Sequence, residues 1–248
     1  MSDRERVRVE VGGRRVRVYL AGQLVADTKR PLLVWEKPYY PVYYFPLDDV
    51  VAELTPTGER LRSPSRGEGT LLTVSVPGAR ADGAAYRHVD SPVEEVRGHV
   101  AFRWDAMDSW FEEDEEVYIH ARNPYTRVDI LQSSRHVRVE IDGVTVAETS
   151  MPRLLFETSL PTRYYFPKTD VQMDLLEESD LHTGCPYKGT ASYYHLVLSG
   201  KRYDDLVWWY PFPARESEHI AGYVAFYNEK VDIYVDGELE TRPHTVFS

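Results

Sequence analysis

Apolar residues recur at every second position along much of this chain. In residues 14–20, Val16, Val18 and Leu20 fall on one side, with Arg15, Arg17 and Tyr19 on the other. That period predicts a strand with one buried face. The pattern returns in residues 135–141, where Val137, Val139 and Ile141 alternate with Arg138 and Glu140. Asp142-Gly143 then separates this run from residues 144–149, which is the spacing of a hairpin with a primed turn; Ala21-Gly22 holds the same place upstream. Further strands are expected at residues 32–36, 43–45, 50–54, 154–157, 164–166, 171–176, 192–198, 202–210, 223–227 and 231–235. Residues 92–96 and 214–219 have room for one helical turn each. The fold class this predicts is all-β.

The two halves repeat one another. Residues 14–50 align without a gap to residues 135–171, and seventeen of the thirty-seven pairs are identical, including Glu36/Glu157, Tyr43–Pro46 against Tyr164–Pro167, and Asp49/Asp170. A repeat of this length is a whole domain rather than a solenoid unit. About 120 residues suffice for an independent core. The expected layout is a first domain at 1–122, a linker at 123–134 marked by Asn123-Pro124 and Gln132-Ser133-Ser134, and a second domain at 135–248. Near-equal copies are expected to dock against each other about an approximate twofold axis. The run Glu112–Glu116 reads either as a docking patch or as a solvated face closing the first domain.

Composition removes several function classes. A net charge of −11 disfavours a nucleic-acid track. Cys185 is the only cysteine, so neither an internal disulfide nor a cysteine-rich zinc cluster is expected, which fits a reducing cytoplasm. No apolar signal core or spanning run is present, so no membrane role is expected. No cofactor motif is found.

The copies diverge around Thr183-Gly-Cys-Pro-Tyr-Lys-Gly-Thr190. With one residue deleted, the first copy sets Ser65 against Cys185 and Glu68 against Lys188, reversing the charge. Trp208-Trp209-Tyr210 faces Ala84-Ala-Tyr86 or Tyr86-Arg-His88, without tryptophan in either placement. The first copy is therefore expected to have traded away a site that the second keeps.

The strings Tyr164-Tyr-Phe-Pro-x-x-Asp170-Val, Thr183-x-Cys-Pro-x-Lys-Gly-Thr-Ala-x-Tyr193, Trp208-x-Tyr-Pro211 and Ile220-Ala-Gly-Tyr-Val-Ala-Phe-Tyr227 resemble the domain-of-unknown-function family four-two-seven. Trp110–Glu116 and Ser133–Val139 look like its tandem version. The resemblance implies a β-tent: two antiparallel sheets meeting at an angle, with a cavity between them. It implies no settled activity. A nucleotidyltransferase label attaches to the family, but that chemistry needs carboxylates converging on magnesium beside a phosphate grip. No Gly-Ser with an Asp-x-Asp pair occurs, and Asp236-Gly-Glu238 reads as a hairpin turn.

Cys185 is either a nucleophile near Lys188, with His182 or His195 as base, or a small buried hydrophobe. His182-x-x-Cys185 lacks a second pair for a metal. Lys188 can hold an anionic or carbonyl group at a cavity mouth. Trp208 and Tyr210 share a strand face, as do Tyr164 and Phe166, and could wall a flat or cationic ligand. Asp170 and Asp49, present in both copies, suit a structural cap. Glu36 and Glu157 pose the same choice and show no partner in sequence.

The first hypothesis is a small-molecule-binding module. Its second-copy pocket is formed by Tyr164, Asp170, Thr183, Cys185, Lys188, Tyr193, Trp208 and Tyr210. The alternatives are an enzyme using Cys185 or Lys188, and an interaction protein with incidental pockets. Ser65 and Glu68 could form a site of another kind.

Overall fold

The computed structural model describes residues 7–248, and the chain divides into two compact domains between Asn123 and Pro124. The first contains β1 (Arg8–Val11), β2 (Val16–Leu20), β3 (Gln23–Thr28), β4 (Leu32–Trp35), β5 (Val42–Pro46), β6 (Glu53–Ser63), β7 (Gly67–Val76), β8 (Ala79–Arg87), β9 (His99–Phe102), β10 (Ser109–Glu112) and β11 (Glu115–Glu116). The second contains β12 (Val128–Gln132), β13 (Val137–Ile141), β14 (Val144–Thr149), β15 (Arg153–Glu157), β16 (Arg163–Pro167), β17 (Leu176–Cys185), β18 (Gly189–Leu198), β19 (Lys201–Trp209), β20 (Tyr223–Phe226), β21 (Asp232–Val235) and β22 (Glu238–Leu239).

Each domain holds a seven-stranded and a four-stranded antiparallel sheet. Their orders are β1-β4-β5-β9-β8-β7-β6 and β11-β10-β2-β3 in the first, and β12-β15-β16-β20-β19-β18-β17 and β14-β13-β21-β22 in the second. Adding eleven to each first-domain strand number reproduces the second domain. Among the described residues the only helical elements are 3-10 turns, including Glu94–Val96 and Arg215–Ile220. No helix among the described residues is long and apolar enough to cross a membrane.

The alternation seen in sequence sets the faces. Val16, Val18 and Leu20 are buried, as are Val137, Val139 and Ile141. Positive φ at Ala21 (50°), Gly22 (70°), Asp142 (49°) and Gly143 (79°) gives the primed turns whose twist suits a hairpin. Between the two sheets of the second domain lie Val137, Val139, Phe166, Leu196, Phe226 and Ile233 in one packed cluster. An equivalent cluster fills the first domain. Core thus fills most of the space where a cavity between the sheets is expected, and in the second domain a cleft of about 100 Å³ opens at its edge beside Tyr164, Val231 and Ile233.

Three expectations are corrected. Of residues 50–54 and 171–176, only Glu53, Leu54 and Leu176 lie in regular strands, as the first residues of β6 and β17. Val50 and Val171 each make one isolated bridge, to Ala26 and Ala147, because the chain there crosses from one sheet to the other. Residues 128–132, assigned to the linker, form β12 on the edge of the seven-stranded sheet, paired along β15. The acidic run is not simply solvated: Glu112 is buried and takes hydrogen bonds from Arg14 and Tyr43, while Asp114 pairs with Arg17.

Candidate functional site

The hairpin β17–β18 turns through Pro186, Tyr187 and Lys188, with Cys185 paired to Gly189. Gly189 has φ +94°, and a Cβ there would lie 3.0 Å from the Phe212 carbonyl oxygen. Only glycine admits this approach. It lets residues 212–217 clamp the tip: Ala214 donates to the Lys188 carbonyl at 3.0 Å, and Ser217 to that of Tyr187 at 3.1 Å.

From this tip the Lys188 ammonium pairs with the Glu157 carboxylate, both largely buried. In the sheet order, β15 and β18 are separated by β16, β20 and β19. Flat strands would put them roughly 19 Å apart at about 4.8 Å per strand, beyond the reach of one lysine. The ion pair exists because the sheet curls, making the face away from the four-stranded sheet concave.

Aromatic side chains fill that concavity. Tyr165, Tyr193, Trp208 and Tyr210 pack in one buried cluster with Ile130, Leu155 and Ile220. Trp208 donates its indole N–H to the Tyr165 hydroxyl at 3.0 Å, with the rings edge to face. Thr183 and Tyr193 share a hydrogen bond of 2.7 Å. Burial pushes the Tyr165 and Tyr210 phenols above their ordinary range, so they are neutral hydrogen-bonding groups. Beside Trp208, Arg163 forms a bidentate pair with Glu229 at 2.7 and 2.8 Å, and Thr245 donates to the same carboxylate at 2.6 Å. Burial raises the Glu229 pKa, but these hydrogen bonds outweigh it and hold the carboxyl below its usual range.

Six of the eight anticipated residues therefore surround this face: Thr183, Cys185, Lys188, Tyr193, Trp208 and Tyr210. Two do not. Tyr164 points to the opposite side of β16, into the inter-sheet core, and its outer end lines a separate cleft of about 100 Å³ with Asn228 and Glu240. The ring that meets Trp208 is Tyr165, since neighbours on a strand face opposite ways. Asp170 accepts from Thr149 at 2.6 Å, and Thr149 in turn accepts from the Met151 amide. Asp49, Thr28 and Arg30 repeat this staple in the first domain. His195 accepts the Asp205 amide on Nδ1, and His182 bonds the Asp180 carbonyl, so both histidines have local partners.

The ladders also correct the comparison of the copies. Ser63 pairs with Gly67 as Cys185 pairs with Gly189, and Leu71 pairs with Tyr86 as Tyr193 pairs with Trp208. Arg66, not Glu68, is the counterpart of Lys188, and Ser63, not Ser65, that of Cys185. The charge is kept. Arg66 pairs with Glu36 and donates to the Tyr44 hydroxyl at 2.9 Å, while Tyr86 stands for Trp208 and donates to Glu36 at 3.0 Å. Glu68 points outward to Arg60.

Sequence reasoning noticed Glu36 and Glu157 but missed their partners, which lie thirty or thirty-one residues on across the curl. It also missed Tyr165 and the Arg163–Glu229 pair. The repeated Tyr44/Tyr165 was the available signal.

Among the described residues, no three His, Cys, Asp or Glu side chains cluster closely enough to hold a metal ion. No curated protein matches the chain. A family model described as Domain of unknown function (DUF427) matches residues 8–113 and again residues 129–237. Those two matches take in most of the sequence and follow the two copies of the fold, so the chain belongs to that family as a tandem member.

Proposed function

We propose that the protein is a small-molecule-binding module, and that the concave face around Lys188, Glu157, Tyr165 and Trp208 recognises a flat ligand carrying an anionic or carbonyl group. The observation that supports this most is the buried cation–carboxylate pair beside a ring hydroxyl, found in both domains with different cations and different surrounding rings. Burying such a pair costs desolvation that apolar packing would avoid. A ligand group can exchange for one partner and recover that cost. The roof over the face is a short 3-10 turn and the tail at Thr245 and Phe247, which a ligand would displace.

A thermal-shift screen of flat carboxylates, amides and amines on the full chain tests this reading. Compounds that stabilise the wild type are expected to lose their effect in a Glu157→Gln/Lys188→Met double variant, which leaves neither charge unpaired. If every such compound stabilises that variant equally, the reading fails.

A further inference from the structure

The first domain holds a cleft of about 520 Å³ on its own concave face. Its floor includes Leu71 on β7, and its walls carry Glu59 from β6 and Arg103, just past β9. In the equivalent place of the second domain, two larger side chains meet. Tyr193 replaces Leu71. Tyr227 replaces Arg103, since Arg103 donates its amide to Ala84 as Tyr227 does to Leu206. The two tyrosine hydroxyls there come within 3.5 Å, closing the space over the sheet. Leucine and arginine leave it open.

The charges in the cleft are not equivalent. Arg80 and Asp82 pair with each other, and Thr73 donates to Asp82. Glu59 and Arg103 make no ion pair among the described residues, not even with each other. They come from β6 and the end of β9, three strand spacings apart, or about 14 Å along a flat sheet. Both side chains line this one cleft, so a ligand that carries both charges has a partner for each.

We propose that this cleft binds a small zwitterion of the α-amino-acid class, its carboxylate on Arg103, its ammonium on Glu59 and its apolar side chain over Leu71. The assignment is independent of the second-domain reading, because it rests on residues that differ between the copies.

Titration of the full chain with L-leucine, followed by calorimetry, is the test, with leucinamide and N-acetyl-leucine as single-charge controls. Leucine is expected to bind saturably, about tenfold or more tighter than either control, as befits one added charge contact worth about 1.4 kcal/mol. Arg103→Gln and Glu59→Gln should each weaken it by a similar factor without altering the melting temperature. The Glu157→Gln/Lys188→Met variant should bind leucine normally, which separates the two sites. Absence of saturable binding, equal binding of N-acetyl-leucine, or indifference to both substitutions would overturn the assignment.

Discussion

Arg66 stands in the first domain where Lys188 stands in the second, each ending a three-residue hairpin loop and each closing on a glutamate across the curled sheet. The side chains differ in shape and donor count, but the charge and its partner persist. In both domains the pair ties the hairpin tip to the strand that starts the far side of the curl.

Breaking one member should therefore cost more than removing both. Lys188→Met leaves the Glu157 carboxylate buried without its cation and is expected to lose about 3 kcal/mol. Lys188→Arg should be nearly neutral, and the Glu157→Gln/Lys188→Met double variant should recover most of the loss. Chemical denaturation of the three variants checks this order.

The Thr–Asp staples should be separable from the concave face. Thr149→Val removes the donor to Asp170 and the acceptor for the Met151 amide, and is expected to cost about 1–2 kcal/mol. Thr28→Val should cost the first domain a similar amount. Ligand stabilisation at the Lys188 face should survive Thr149→Val.

Glycine positions separate strain from crowding. Gly143 and Gly189 both have positive φ, but a Cβ at Gly143 meets nothing, whereas one at Gly189 meets the Phe212 carbonyl. Gly143→Ala is expected to cost about 1 kcal/mol from backbone conformation alone. Gly189→Ala should cost more and loosen the clamp on residues 186–188, read as faster hydrogen exchange at the Ala214 amide.

Acid should weaken the first domain through His88. Burial, the leading cause, lowers the pKa of this fully buried imidazole, while the Glu68 carbonyl opposes that. A depressed folded value means the unfolded chain binds the proton more readily. The stabilisation is therefore present above the ordinary value of 6.5 and is lost as pH falls through the folded value. His120, lowered by burial too, acts in the same direction. Stability measured from about pH 7 down to about pH 5 should fall less steeply in His88→Leu than in the wild type.

Much of the scaffold was readable because its signals are local. Alternation marked β2 and β13, and residue pairs such as Asp142-Gly143 marked the turns. The site was less readable. Tyr164 was chosen over Tyr165 because a strand's period separates two faces without saying which one meets Trp208. Composition sets Lys188 against Glu68 because a two-residue shift at a hairpin tip is invisible to it and plain in the ladder.

The amino-acid order alone determined a duplicated, all-β chain whose halves share strand pattern, turn chemistry and the repeated Thr, Asp and Glu positions. Tertiary structure alone decided that the aromatic face is the outer, concave one, that Glu157 meets Lys188, and that the first domain holds a cleft where Tyr193 and Tyr227 meet in the second. The reason is distance. Strand period and turn preference act within a few residues, whereas sheet curl joins strands far apart in sequence, and no short stretch of chain encodes how strongly a seven-stranded sheet will bend.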